Sequence, residues 1–590
     1  MYPLFPNVIL SFLLLCISIK TTISAPNRPG QKCRCLPQDP CWPSAQSWNA
    51  FNHSVNGHLI SLRPVGAVCH GREFNEAGCA VAKESTYNPE WRASQPGALQ
   101  STNWESNGEG RADCDLNSPR EIPCAQGRIP VYAVLAESAE EIQTAIRFAR
   151  DRNLRVVVRN TGHSSLGQSA APGSLQINTS RFKQIELVFD FIPQGADASV
   201  GQAVTVGAGV LALEVAQVGA AQGFTAIMGL CNTIGVAGGF IQGGGEGLLG
   251  PLYGMGSDNA VEFNVVTADG DLVVANAFQN TDLFWALRGG GGGTFGIAVN
   301  TTMRAFPDVP GILFSLYTQI SRQDRRYPDS KQAVFEIARQ VVNILPALKR
   351  ADEATSGYVT ADITLNSTTV QAISEILFPN TTDIDSIRQR LEPLTSALDD
   401  SGFSPVYTTT LTAYPGLSTY FNLPRPIPAT GRIEGSVLVS DRLFLSPNGP
   451  SRILDVTLNQ AYANGDQIEF FMSAGGPVKA NRGVVDSGLS PAWREAGIVV
   501  SVRRILPSNS AAKRLVDSPM PALRGIETPM LGSYINAGDP DEPGFQRAFW
   551  GSNYDRLYRV KQKWDGDGLF VVNSGVGSED WDAEKTCRVR

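Results

Sequence analysis

Two glycine-rich stretches of the 590-residue chain each carry one side chain with nucleophile chemistry: His163 within 160–167 and Cys231 within 229–247. His163 is the only histidine after position 70, and Cys231 lies far along the chain from every other cysteine. Successive backbone amides in tight turns make anion-binding nests, and glycine lets a flat ring or a pyrophosphate lie against the main chain. On composition alone the plainer assignments are preferred: a hydrogen-bonding turn histidine and a small buried thiol. Other glycine motifs fall away. Gly291-x-Gly293-x-x-Gly296 matches a dinucleotide fingerprint, but that motif must follow a strand and open a helix. Here 282–288 reads as helix and 297–303 as strand, so a nicotinamide Rossmann site is rejected. The chain has no Gly-Lys-Ser/Thr for a phosphate loop and no Gly-x-Ser-x-Gly for a serine hydrolase.

The elements that must position these residues follow from periodicity. Residues 131–135 read as a strand. Ser138 and Glu141 form a capping box, and Ile142, Ala145, Ile146 and Ala149 give the stripe of an amphipathic helix. A buried strand at 154–158 closes a β-α-β unit and runs into Arg159-Asn160-Thr161-Gly162-His163-Ser164, the strand-end position where α/β proteins place ligands. A strand at 203–206, a helix near 211–222 and a strand pair at 261–268 and 271–275 follow. From 311 the texture changes. Over 357–365, Tyr358, Thr360, Asp362 and Thr364 fall on one face, and Val359, Ala361, Ile363 and Leu365 on the other. Further strands at 432–440, 467–472 and 498–503, with helical runs between them, imply a second domain of antiparallel sheet with helices on one side. The last sixty residues return to mixed turn and helix. The fold class expected is α+β.

Composition excludes several roles. Lys+Arg at 49 against Asp+Glu at 56 gives a net charge of −7, the wrong sign for a nucleic-acid face. A 42% hydrophobic share argues against disorder. The apolar run at 8–19, followed by small residues, is too short for a membrane span and reads as a signal peptide over 1–25, with no membrane anchor after it. Asn52, Asn178, Asn300, Asn366 and Asn380 head Asn-x-Ser/Thr sequons, which with the leader imply a secreted, extracellular glycoprotein carrying N-linked glycans. Without Cys16 of the leader, nine cysteines remain, seven of them within 33–124. That crowding predicts disulfides, with connectivity open and one cysteine left over; Cys231 is the outlier by position. Without a His-Glu-x-x-His or paired Cys-x-x-Cys, no metal site is expected.

Taken in order, these motifs resemble the vanillyl-alcohol-oxidase type of FAD-linked oxidoreductases, with a PCMH-type FAD-binding domain. Within it they are most like the berberine-bridge-enzyme-like, largely fungal secreted branch. The resemblance covers most of 125–310 and the tail, and is weak over 311–525. It includes Cys231-Asn232-Thr233-Ile234-Gly235 with Gly238 and Gly239, Asp258-Asn259, the run 285–293 with Gly296, Tyr534-Ile535-Asn536, and Tyr554-Asp555-Arg556-Leu557. The closing Val576-Gly577-Ser578-Glu579-Asp580-Trp581 is similar to fungal isoamyl-alcohol-oxidase-type proteins.

The resemblance implies a two-part FAD-binding domain with an inserted substrate domain. After the signal peptide come a Cys-rich N-terminal part (26–125), the FAD-binding domain (126–310), the substrate domain (311–525) and a returning C-terminal segment (526–590). Arg159, Asn160, Thr161, Gly162 and Ser164 would cradle FAD. His163 would bond to its 8α-methyl and Cys231 to its C6, while Gly235, Gly238, Gly239, Gly296 and Asn536 would complete the site. Tyr534 takes the family's position for the catalytic base. The glutamate that berberine-bridge enzymes place shortly after a Gly-Gly is missing from 475–480, which argues against alkaloid-type chemistry. Glu434 and Glu469 are reserves, read first as solvated strand carboxylates. The function implied is oxidation of an alcohol-like small molecule (an alcohol, a sugar or a secondary metabolite) by hydride transfer to flavin N5, with O2 as acceptor and H2O2 as product. Ile234, where many relatives carry valine on the oxygen path, leaves a dehydrogenase as the alternative. A flavin-binding glycoprotein without turnover is the third reading.

Overall fold

The computed structural model describes residues 33–106, 114–364, 367–401, 406–425, 427–506 and 514–590. The expected signal peptide and the Asn366 sequon lie outside the described residues. Four strands form the first sheet: β1 (Leu59–Ser61), β2 (Tyr132–Leu135), β3 (Val156–Arg159) and β4 (Leu175–Asn178), in the order β1-β2-β4-β3. The helix Ala139–Asp151 connects β2 to β3 and buries Ile142, Ala145, Ile146 and Ala149. Ser138 caps it by accepting from the Glu141 amide at 3.3 Å. The β-α-β unit is present, but β4 lies between its two strands and pairs in parallel with both. All four β4 residues are buried, which suits that central slot.

Next come β5 (Ile185–Val188), β6 (Ala203–Gly207), β7 (Phe224–Thr225), β8 (Ala260–Val266), β9 (Leu272–Asn276), β10 (Ile297–Arg304) and β11 (Phe306–Pro307). Five of them make an antiparallel sheet in the order β5-β6-β10-β8-β9, and β7 pairs with β11 in a short ribbon. The helix Thr281–Leu287 precedes the glycine run and β10 follows it, the reverse of a dinucleotide-binding turn.

The third sheet is antiparallel and has seven strands: β12 (Gly311–Ser321), β13 (Ser356–Asp362), β14 (Thr369–Pro379), β15 (Tyr407–Tyr414), β16 (Arg432–Ser440), β17 (Gln467–Met472) and β18 (Ala496–Ile505). Their order is β15-β12-β14-β13-β17-β18-β16. The alternation along β13 sorts as its side chains require. Val359 and Ala361 enter an apolar core shared with the helices Ser330–Ala351 and Ile384–Asp400, while Tyr358 and Thr360 face a cavity on the opposite side.

Four disulfides join Cys33–Cys587, Cys35–Cys41, Cys69–Cys79 and Cys114–Cys124. The first ties positions 554 residues apart, so the tail is held to the start of the described chain. Cys231 is the free cysteine among the described residues, and it is buried. One sequon is ruled out by its place: Asn178 sits fully buried on β4, where a glycan has no room. Asn380 is exposed, and Asn52 and Asn300 are half-buried.

A buried ion pair joins the helix Gly256–Asn259, just before β8, to the segment leading into β18. Arg494 donates to both oxygens of Asp258, at 2.6 and 2.8 Å, and Asn481 donates to the same carboxylate at 3.0 Å. Both side chains are under a tenth exposed. Removing one partner strands the other charge, so Arg494→Ala is expected to cost about 3–5 kcal/mol. Denaturant midpoints check this, and removing both charges in one variant should cost less than Arg494→Ala alone.

Candidate active site

One cavity of about 620 Å³ lies between the glycine-rich loops and the open face of the seven-stranded sheet. Its volume is in the range of small-molecule and cofactor sites. The turn after β3 supplies Asn160, Thr161, Gly162, His163 and Ser164, and the second loop supplies Cys231, Ile234, Gly235, Gly238 and Gly239. Gly296, Tyr534 and Asn536 also line it.

The two nucleophiles converge. His163 Nε2 lies 2.7 Å from the Thr233 hydroxyl, and Cys231 Sγ lies 3.5 Å from the same oxygen. Their separation therefore cannot exceed the sum of those two contacts. Burial lowers the His163 pKa to about 3, and the charges of Arg432 and Arg159 push it the same way. The imidazole is thus neutral and keeps a lone pair for bonding.

The glycines act by absence. A Cβ added to Gly238 or Gly239 would meet nothing within 4 Å, so both present bare backbone to the cavity. Gly162 holds a left-handed φ of +77°, which turns the chain directly before His163. Asn160 donates to Ala208 O at 2.6 Å, leaving its own Oδ1 buried without a partner; Gln242 Oε1 is likewise unpartnered. Two orphaned acceptors on a cavity wall call for donors from a ligand.

Arg159 departs from expectation. Its guanidinium is buried and donates to the carbonyls of Arg92, Ala93, Gln95, Ala98 and Asn160. Strand alternation explains this: Val158 lines the cavity, so its neighbour points to the other side. Arg159 therefore fastens segment 92–98 beneath the turn and does not reach a pyrophosphate through its side chain.

The opposite wall is charged. Glu434 and Glu469 are not solvated strand carboxylates; both line the cavity, with Glu434 itself buried. Arg503 pairs with Glu434 at 2.7 Å and with Glu469 at 3.8 Å. Burial raises the Glu469 pKa against the pull of Arg503. Farther along, Tyr420 donates to Glu375 at 2.6 Å, and Arg425 stacks on the Tyr420 ring. Tyr534 is buried, its ring edge-on to Trp493, and its oxygen accepts from Asn536 Nδ2 at 2.9 Å and from the Glu246 amide at 3.2 Å. Burial, and then the charge of Glu246, raises its pKa well above the tyrosine value, so the resting phenol keeps its proton.

Comparison with known proteins decides what this cavity is. Residues 130–276 match the family model described as "FAD binding domain", and 533–577 match "Berberine and berberine like". A "Flavin-dependent oxygenase ucdF" of Aspergillus ustus is 51% identical over 543 residues, covering 92% of this chain and 98% of that protein. The chain belongs to the berberine-bridge-like FAD-linked oxidoreductases. A second relative, "FAD-linked oxidoreductase easE" of Trichophyton verrucosum, is 40% identical, with 94% of this chain and 92% of that one covered. The VAO-type flavoprotein MtVAO713 of Myceliophthora thermophila C1 superposes with a TM-score of 0.82 at 25% identity, over 95% of this chain and all of that one. The bare backbone at 238–239, the orphaned acceptors, the neutral imidazole and the free thiol all fit FAD.

For this FAD-dependent oxidoreductase, Glu246 is the residue that sequence reasoning missed. Ser473 donates to its Oε1 at 2.6 Å, and the carboxyl lines the cavity beside Tyr534. Burial raises its pKa to about 8, and Glu469 and Glu434 add to the rise against the Ser473 hydrogen bond. A carboxyl that titrates near neutrality rather than near pH 4 suits general-base work. A signal was available: an acid inside Gly243-Gly244-Gly245-Glu246-Gly247 interrupts a run that otherwise exposes backbone.

Proposed function

We propose that the chain is a secreted oxidase that holds FAD through two covalent links and oxidises an alcohol-like small molecule, passing electrons to O2 and releasing H2O2. One observation carries the reading: His163 and Cys231 reach the same Thr233 hydroxyl inside a cavity that also contains Glu246 and Tyr534. His163 and Cys231 would hold the flavin at its benzenoid edge, and Asn160, Thr161, Gly162, Ser164, Gly235, Gly238, Gly239, Gly296 and Asn536 would surround it. When bound, FAD supplies the hydride acceptor and the route to oxygen.

The protein's own groups handle the proton. Tyr534 keeps its proton and donates to the substrate oxygen, with its own oxygen held by Asn536 and the Glu246 amide. Glu246, steadied by Ser473, accepts the substrate proton at its free oxygen. The expected tyrosine base thus becomes a positioning donor in contact with substrate, and the carboxylate becomes the base. Four disulfides support an oxidising compartment, and Asn380 is the exposed glycan site among the described sequons.

The oxygenase name of the 51% identical relative supports use of O2. Ile234 favours a dehydrogenase as the second reading, because it lines the cavity with a side chain larger than the valine that the resemblance implies for an oxidase. Anaerobic mixing of purified holoprotein with alcohols, phenols and sugars is expected to bleach the flavin with at least one of them. Admission of air should then restore the colour rapidly and yield peroxide. Slow recovery with bleaching intact selects a dehydrogenase, and failure of every compound to bleach selects binding without turnover.

A further inference from the structure

We propose that Arg432 is a carboxylate-anchoring site for the substrate, on the side of the cavity occupied by His163 and Cys231. The inference rests on the reading of this cavity as the substrate chamber, and adds the substrate class: a molecule carrying a carboxylate besides the oxidised group.

Arg432 opens β16 and lines the cavity. Arg432 is 9% exposed, its Nε is buried without a hydrogen-bond partner, and among the described residues no carboxylate lies within ion-pair distance of it; Glu434 and Glu469 attract it only at longer range. The strand's backbone is provided for, because the Arg432 amide donates to Asn103 Oδ1 at 3.0 Å. The side chain is what lacks a counterpart.

Every neighbouring carboxylate is otherwise engaged. Glu434 is held by Arg503 at 2.7 Å, and Glu469 shares that arginine at 3.8 Å. Glu375 accepts from Tyr420 and lies 3.9 Å from Arg425. Glu246 accepts from Ser473. The other two cavity arginines thus have direct acidic partners and Arg432 does not. Burying an unpaired guanidinium is costly, so a cation held this way is matched by a charge that arrives with a ligand.

The geometry selects the ligand group. A guanidinium presents a planar fork that two carboxylate oxygens meet in parallel, and low-dielectric surroundings strengthen the pair. Arg503 is already matched by Glu434 and Glu469, and Arg425 by Glu375, so Arg432 is the cavity arginine whose fork is left for an incoming carboxylate. That arrangement fixes orientation as well as affinity. Binding energy from the carboxylate end is then available to position the group being oxidised.

The test uses the holoenzyme and two probes of nearly equal shape, benzoate and benzyl alcohol, each titrated while the flavin absorption spectrum is followed. Benzoate is expected to perturb the wild-type spectrum. Arg432→Gln should weaken benzoate by about 30-fold or more, leave benzyl alcohol nearly unchanged, and keep the protein yellow and folded by circular dichroism. Arg432→Lys should recover part of the affinity. Absence of any benzoate effect on the wild type overturns the proposal. So does equal loss of both probes, which marks a structural role. Unchanged benzoate affinity with a shifted flavin reduction potential also overturns it and assigns Arg432 to the flavin. The reading as a catalyst fails separately, when no compound bleaches the flavin although benzoate binds through Arg432.

Discussion

Glu246→Gln is expected to slow anaerobic flavin reduction by about two to four orders of magnitude while leaving flavin content and colour intact. The amide keeps the shape and can still meet Ser473, but it cannot accept a proton. The pH profile distinguishes this from loss of packing. Burial raises the Glu246 pKa to about 8, so the base is mostly protonated at neutral pH and the wild-type rate should climb until about that value. The variant should lose that limb. Tyr534→Phe should cost less and keep the limb, because it removes a donor to the substrate and not the proton acceptor. A Glu246→Gln enzyme with a near-normal rate and the same rising limb would sink the assignment.

The same carboxyl predicts an opposite effect on stability. The folded-state pKa lies above the ordinary glutamate value of 4.5, so the folded chain keeps a proton that the unfolded chain releases. Stability contributed by this group is therefore full below about pH 4.5 and declines as pH rises to about 8. Glutamine carries no such penalty. Denaturation midpoints of Glu246→Gln relative to wild type should move in the variant's favour across that window. A variant that loses activity while gaining stability at alkaline pH has lost a functional group held at a cost.

How far this site could be read from sequence depended on whether its determinants are local. The turn 159–164 and the loop around Cys231 were legible because glycine, a lone histidine and an odd cysteine are visible without knowing what they pack against. The alternation along β13 likewise separated the core face from the cavity face. Three things required the third dimension. Arg159 sits one residue from a cavity-lining position, and strand alternation turns it to the opposite side. Glu434 and Glu469 are two acids on separate strands with ordinary patterning, and only the pairing of β16 and β17 with β18 brings both to Arg503. The insertion of β4 between β2 and β3 leaves no local trace: Leu175-Gln176-Ile177-Asn178 alternates apolar and polar like a half-exposed strand, yet all four residues are buried.

The second large effect concerns retention of the flavin itself. His163→Ala and Cys231→Ala should each leave the yellow colour with the polypeptide after acid denaturation, and the double variant should release it completely. Both atoms reach the Thr233 hydroxyl, a separation small enough for one ring edge to lie between them, and the two sites proposed for attachment, the 8α-methyl and C6, belong to the same benzenoid ring. The imidazole is neutral at neutral pH, because burial, and then Arg432 and Arg159, hold its pKa at about 3. The thiol is buried and outside the disulfide set, so oxidation with a neighbouring cysteine does not compete. Each link by itself is a covalent bond that acid cannot reverse by unfolding, which is why the single variants should differ in spectrum and not in retention. Thr233→Val offers a finer measure: it removes the contact common to both side chains without touching either nucleophile, and should slow attachment while leaving the final yield intact. Colour that washes out of the wild type, or stays with the double variant, would mean that the convergence of His163 and Cys231 serves packing and not attachment.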